Sequence, residues 1–150
     1  MSRSGYSDDC ENIAMWRGMV ASATRGKRGQ ALLRALLEAL DAMPEKRLIP
    51  HELESDGEVC ALGALGRARG MDISKLDPEE PEEVAAAFNI APCLAQEIVY
   101  MNDEYRARRY DPKIVGYVDM TPEERWQQMR DWVAKQIRRP TGTCSKTIGD

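Results

Sequence analysis

The sequence predicts an all-α fold, a compact bundle of about five to six short helices in a single domain spanning residues 1–150. Three observations carry that expectation. Apolar residues recur at spacings of three and four along most of the chain, the period of a helix with one buried face. A capping residue followed by proline opens two of these stretches, at Asp77-Pro78 and Thr121-Pro122. Only one short run, within residues 114–118 (Ile114, Val115, Tyr117, Val118), reads as an extended surface segment.

The first helix is expected from about Asp9 to Ala23. Ile13, Trp16, Met19, Val20 and Ala23 share one face, and Asp8 or Asp9 supplies the cap. Arg25-Gly26-Lys27-Arg28-Gly29 then breaks it, two glycines three apart favouring a turn. The second helix, Gln30 to Met43, has the widest stripe: Leu32, Leu33, Leu36, Leu37 and Leu40, opposite Arg34, Glu38 and Asp41. Pro44 closes it, since proline disfavours the α conformation in the residue before it.

A loop through Leu48, Ile49 and Pro50 leads to the turn signal Ser55-Asp56-Gly57. A third helix is expected from Glu58 to Gly70, with Gly70 as its cap. Its Gly63 and Gly66 each cost about 1 kcal/mol relative to alanine, a cost that makes sense if another backbone comes close. Asp77-Pro78-Glu79-Glu80-Pro81-Glu82-Glu83 opens a fourth helix ending near Phe88, its acidic residues favoured by the helix dipole. Asn89 to Pro92 turn the chain into a fifth, Cys93 to Asp103, with Leu94, Ile98 and Met101 on one face. The last helix starts at the capping box Thr121-Pro122-Glu123-Glu124 and carries Trp126, Met129, Trp132, Val133 and Ile137. Residues 1–8 and 140–150 are expected to be flexible tails.

At 43% hydrophobic and 31% charged residues, the chain can fill a core and keep a charged surface. No apolar run approaches the roughly 20 residues of a membrane span, and the polar start holds no signal-like segment. A cytoplasmic location and no membrane association are therefore expected. Cys10, Cys60, Cys93 and Cys144 contain no CxxC pair, so neither a zinc site nor a disulfide framework is expected. Cys60 and Cys93 read as buried thiols. His51, the single histidine, lies in a loop and reads as exposed. No catalytic residues, no metal site and no cofactor are expected.

Charge distribution says more than the net −4. From Asp77 to Tyr105 there is no Lys or Arg, against Asp77, Glu79, Glu80, Glu82, Glu83, Glu97, Asp103 and Glu104. That stretch carries −8 and the remainder +4, so the molecule is expected to be polarised, with these eight carboxylates as the surface for a protein partner. Arg25, Lys27, Arg28, Arg106, Arg108 and Arg109 are the candidates for anion or nucleic-acid contacts, with Trp16 or the tyrosines stacking.

Val84 to Ile98 has the spacing of a helix-turn-helix. Its second helix, however, offers Gln96 and Glu97 inside the acidic stretch, so it reads as a packing unit and direct nucleic-acid binding as the weaker alternative. The block Asn102-Asp103-Glu104 stands at a helix C-terminus, where the dipole opposes it. A small enzyme using those groups is a further alternative.

Several blocks together resemble a family of small helical proteins of phages and prophages: Trp16-Arg17-Gly18, Arg25 to Gln30, Ala39 to Lys46, Val59 to Ala64, Ile98 to Glu104 and Thr121 to Trp126. The resemblance covers roughly residues 15–137. It implies no activity and no functional residues. Its implication is context: a dispensable phage gene, a class in which inhibitors of host defence, anti-CRISPR proteins among them, are common. The stretch from Tyr105 to Met120 is longer and richer in tyrosine than the family pattern. Together with the acidic stretch, this makes a protein-binding accessory protein the expected function, with oligomeric state open.

Overall fold

Gly26 is the one residue of the glycine-rich break that leaves helical geometry, and it joins the first two helices at a sharp bend. The computed structural model describes residues 3–5 and 13–138. Among these are six α-helices and two small hairpins. In order they are α1 (Ile13–Arg25), α2 (Lys27–Ala42), β1 (Glu54–Ser55), β2 (Glu58–Val59) and α3 (Ala61–Ala68). After these come α4 (Pro81–Phe88), α5 (Pro92–Asp103), β3 (Arg108–Asp111), β4 (Gly116–Asp119) and α6 (Pro122–Gln136). A 3-10 turn, Ile73–Lys75, links α3 to α4.

Lys27, Arg28 and Gly29 belong to α2 rather than to a loop, a correction to the expected break. The reason is packing: a Cβ on Gly29 would lie 2.0 Å from the Ala23 carbonyl oxygen, so this glycine lets the end of α1 cross against α2. Leu32, Leu33, Leu36 and Leu40 are wholly or almost wholly buried, as the stripe predicts. The α2 surface packs on α6 and on α3. Two side chains fasten these contacts. Trp126 donates its Nε1–H to the Leu40 carbonyl at 3.1 Å. Gln30 donates to the carbonyls of Thr24 and Gln136 at 2.7 and 2.9 Å.

Around Asp56-Gly57 the turn signal becomes a hairpin, Glu54 pairing with Val59 and Ser55 with Glu58. Asp56 and Gly57 have φ of 52° and 81°, the two left-handed positions a tight hairpin demands. Helix α3 begins at Ala61, later than expected, because Cys60 is its cap: the thiol accepts from the Gly63 N–H at 3.4 Å. Gly63 and Gly66 are the predicted points of close approach. A Cβ would meet Leu53 O at 1.9 Å from the first and Ile73 Cγ2 at 2.5 Å from the second.

Two expectations fail in part at the edges of the bundle. The fourth helix starts at Pro81, since Asp77 turns its carboxylate onto the Glu79 N–H at 2.9 Å and closes a turn before the helix. In α1 the expected face holds only in part: Val20 is buried and Trp16 and Ala23 are half-buried, while Ile13 and Met19 are 54% and 50% exposed and Thr24 is buried instead. The Arg17–Val20–Thr24 side faces α5, where Arg17 reaches Glu97. The single extended segment near 114–118 is instead a second antiparallel hairpin, β3–β4. Ile114 and Val115 stand in its turn, and Tyr117 and Val118 in the returning strand.

Helix α5 is the centre, in contact with α1, α3, α4 and α6. It meets α4 at a 103° bend, made by Asn89 in the left-handed region at φ 57°. Cys60 and Cys93 are buried free thiols. Among the described residues no single helix is long and apolar enough to cross a membrane. The proposed first cap and both outlying cysteines lie outside the described residues, as do residues 140–150.

Candidate docking surface

The eight carboxylates of the acidic stretch do not form one surface. They divide by where α5 ends. Asp103 is buried, with both oxygens held by Arg3: Nε donates at 2.6 Å and Nη2 at 2.8 Å. Ser4, also buried, donates its hydroxyl to Glu104. Glu97 is 5% exposed and accepts a two-pronged contact from Arg17, at 2.6 and 3.1 Å. Two members of the expected partner surface, Glu97 and Asp103, are therefore internal and neutralised by guanidinium groups, and Glu104 is half-buried. The expected surface is thus divided, and residues 3–5, the described part of the expected N-terminal tail, pack against the end of α5.

The Asn102-Asp103 block explains its cost at the helix end. Asn102 accepts from the Ala61 N–H at 3.0 Å, at the start of α3, and donates to the Ile49 carbonyl at 3.0 Å and to Asp103 at 2.7 Å. Arg125 of α6, itself buried, donates to the Asn102 carbonyl and places a positive charge where the α5 dipole is negative. Burial pushes the Asp103 carboxyl up. The hydrogen bonds and charge of Arg3, with help from Asn102 and the His51 backbone, outweigh that and leave it below the ordinary carboxylate range. Burial alone would lower the Arg3 pKa, yet the neighbouring Cys60 and Asp103 raise it above the usual arginine value. His51 is largely exposed, as expected, with φ of 73°, and its Nδ1 is 3.9 Å from Asp103. The block is thus a joint between four segments of chain.

The other five carboxylates remain. Asp77, Glu79, Glu80, Glu82 and Glu83 are all exposed. Among the described residues none makes an ion pair. Asp77 and Glu83 are partly fixed by bonds to the Glu79 and Asp77 N–H groups, at 2.9 and 3.4 Å. Pro78 and Pro81 restrict the backbone between them. The result is five negative charges within seven residues at the start of α4.

The candidate cations also divide. Arg25, Lys27 and Arg28 are exposed at the α1–α2 bend, Arg28 within 3.4 Å of the Asn89 carbonyl oxygen of its side chain. Arg106 lies 5.2 Å over the Tyr105 ring. Arg108 pairs with Asp119 at 3.4 Å and Arg109 with Glu124 of α6. The helix-turn-helix-like pair has no reading face: Cys93, Leu94, Ala95, Glu97, Ile98, Val99 and Met101 of α5 are buried.

A recess of about 510 Å3 lies between the end of α2, the β1–β2 turn and α3. Its floor is small and apolar (Ala39, Ala42, Ala64), and its Arg47 and Arg67 are engaged by Glu58 and Glu54, at 2.6 and 2.7 Å. No group of three or more His, Cys, Asp or Glu able to hold a metal occurs among the described residues. What the sequence reading missed are the cations Arg3, Arg17 and Arg125. Each meets its partner across 22 to 100 residues of chain, so no local pattern marks them. No protein-family model matches this chain, and neither does any curated protein or solved structure.

Proposed function

We propose that this chain is a non-catalytic accessory protein that docks on a basic protein surface through the start of α4. The observation that carries the reading is the group of five exposed carboxylates without an ion pair, Asp77, Glu79, Glu80, Glu82 and Glu83. Charges this close raise the local negative potential, speed the approach of a basic partner and make association sensitive to salt. In the setting the phage and prophage resemblance implies, the partner is a nucleic-acid-handling or defence complex in the host cytoplasm, such as a CRISPR effector. The acidic helix start takes the place of a phosphate backbone in its basic groove.

The engagement of Asn102 and Asp103 in the joint argues against an acid–base role for that block, and the burial of α5 argues against base reading by it. The test is affinity capture from host lysate with the wild-type chain and with a variant carrying Glu79→Lys, Glu80→Lys, Glu82→Lys and Glu83→Lys. A partner retained by the wild type and lost by the variant, at unchanged helical content, supports the reading. A partner held equally by both removes it.

A further inference from the structure

We propose that the β3–β4 hairpin is an arm that binds single-stranded nucleic acid, its tyrosine rings stacking on bases and its cations meeting phosphates. The antiparallel register sets Tyr110 opposite Tyr117 and Arg108 opposite Asp119, so these four side chains share one face of the ribbon. The two rings stand edge to face, 5.6 Å apart, and are 54% and 64% exposed. The Arg108 guanidinium lies 5.7 Å over the Tyr117 ring. On the opposite face Arg109 is tied to Glu124 of α6, which leaves the tyrosine face turned away from the body.

The turn adds a second observation. Val115 is 77% exposed and has φ of 52°, and beside it Ile114 is 60% exposed. A β-branched residue in the left-handed region is strained where glycine or asparagine would sit easily, and this one also leaves its methyl groups in water. Stability alone does not select such a residue. Lys113 shares the turn with it, and Lys113 and Arg106 carry no ion pair among the described residues.

The ribbon thus sets two exposed rings beside cations: Arg108 is paired with Asp119 on the same face, and Lys113 and Arg106 stand outside any ion pair among the described residues. A nucleic-acid strand matches that combination, with flat apolar bases carried on a charged backbone, and every base has a face to stack. This inference uses a surface separate from the acidic start of α4, so either can fail alone.

The experiment is fluorescence anisotropy with a labelled oligothymidylate of roughly 15 nucleotides, a duplex of the same length, and anionic phosphatidylserine vesicles as the third arm. Binding to the single strand is expected to weaken with salt at a log–log slope of about −1.4, the value for two phosphate contacts, from Lys113 and Arg106. Tyr110→Ala with Tyr117→Ala should weaken it about tenfold or more, with the circular dichroism spectrum unchanged. Val115→Asn should melt higher and bind less, a combination that a purely structural residue cannot give. No binding to the single strand, equal binding to the duplex, binding to vesicles alone, or indifference to the tyrosine change would each overturn the proposal.

Discussion

Arg3 and Asp103 show how much can hang on one pair. Each is almost fully buried, and the bidentate contact compensates two charges that would otherwise be stranded. Removing one partner leaves the other uncompensated, which costs about 3 kcal/mol or more. Arg3→Ala should therefore lower the melting temperature by roughly 10 °C for a chain of this size. A change of only one or two degrees in a thermal melt would mean the pair is not formed in solution. Glycines make the complementary case. Gly63→Ala forces a Cβ to within 1.9 Å of the Leu53 carbonyl, so the β1–β2 connection must move, at a cost of about 3 kcal/mol. Gly18→Ala, in an open stretch of α1 with nothing within 4 Å, should instead stabilise by about 0.5–1 kcal/mol. Denaturant titration of both variants checks the pair. The glycine signal was legible in the sequence, because two costly residues in one helix need a reason. The arginine signal was not, because Arg3 lies 100 residues from its partner and nothing around it differs from an ordinary polar terminus.

Whole elements were most readable where periodicity and caps agree. Helix α6 begins where the Thr121 capping box places it: the hydroxyl accepts from the Glu124 N–H at 3.1 Å and the Glu124 carboxylate from the Thr121 N–H at 3.2 Å. Thr121→Ala should cost about 1 kcal/mol in a thermal or urea melt. The stripe of α2 was equally plain. Periodicity misleads in α1, where two apolar faces overlap. The side that faces α5 carries a distant contact, Arg17 with Glu97, that sequence spacing does not encode. The β3–β4 hairpin was half legible. Its apolar and aromatic residues mark an extended piece, but the first strand, Arg108–Asp111, is too polar to be told from a loop until its partner is known. At this scale the strained turn gives a direct prediction. Val115→Asn fits the left-handed position and should raise stability by about 1 kcal/mol, a melting increase of roughly 3 °C. No increase would show that the turn tolerates valine without strain.

For the molecule as a whole, the acidic stretch performs two tasks that the sequence shows as one. Its first part projects charge into solvent, while its second part is turned inward to bind cations from the N-terminus, α1 and α6. The charge count alone cannot separate them, because a buried compensated carboxylate and an exposed one contribute equally to a sum. Acid does separate them. Asp103 has a folded pKa below its unfolded value of 3.8, burial raising it but Arg3 lowering it further. A carboxylate of that kind contributes stability that is fully present above the unfolded value. The contribution is lost as the pH falls through the unfolded and then the folded value, because below both the two states bind the same proton. Asp41 shifts the same way through its hydrogen bond to Arg130, and Glu124 through the Thr121 backbone, but both are exposed and screened. The loss of stability below about pH 4 should therefore depend mainly on Asp103. Thermal melts between pH 7 and pH 2 should show the wild-type chain losing stability steeply in that window. Asp103→Asn, which cannot titrate, should start lower at pH 7 and fall less. Reversing the exposed carboxylates at the start of α4 should remove the response of partner association to salt. If Asp103→Asn falls as steeply as the wild type, the acid sensitivity lies in the surface pairs and the buried joint is not what holds the N-terminus in place.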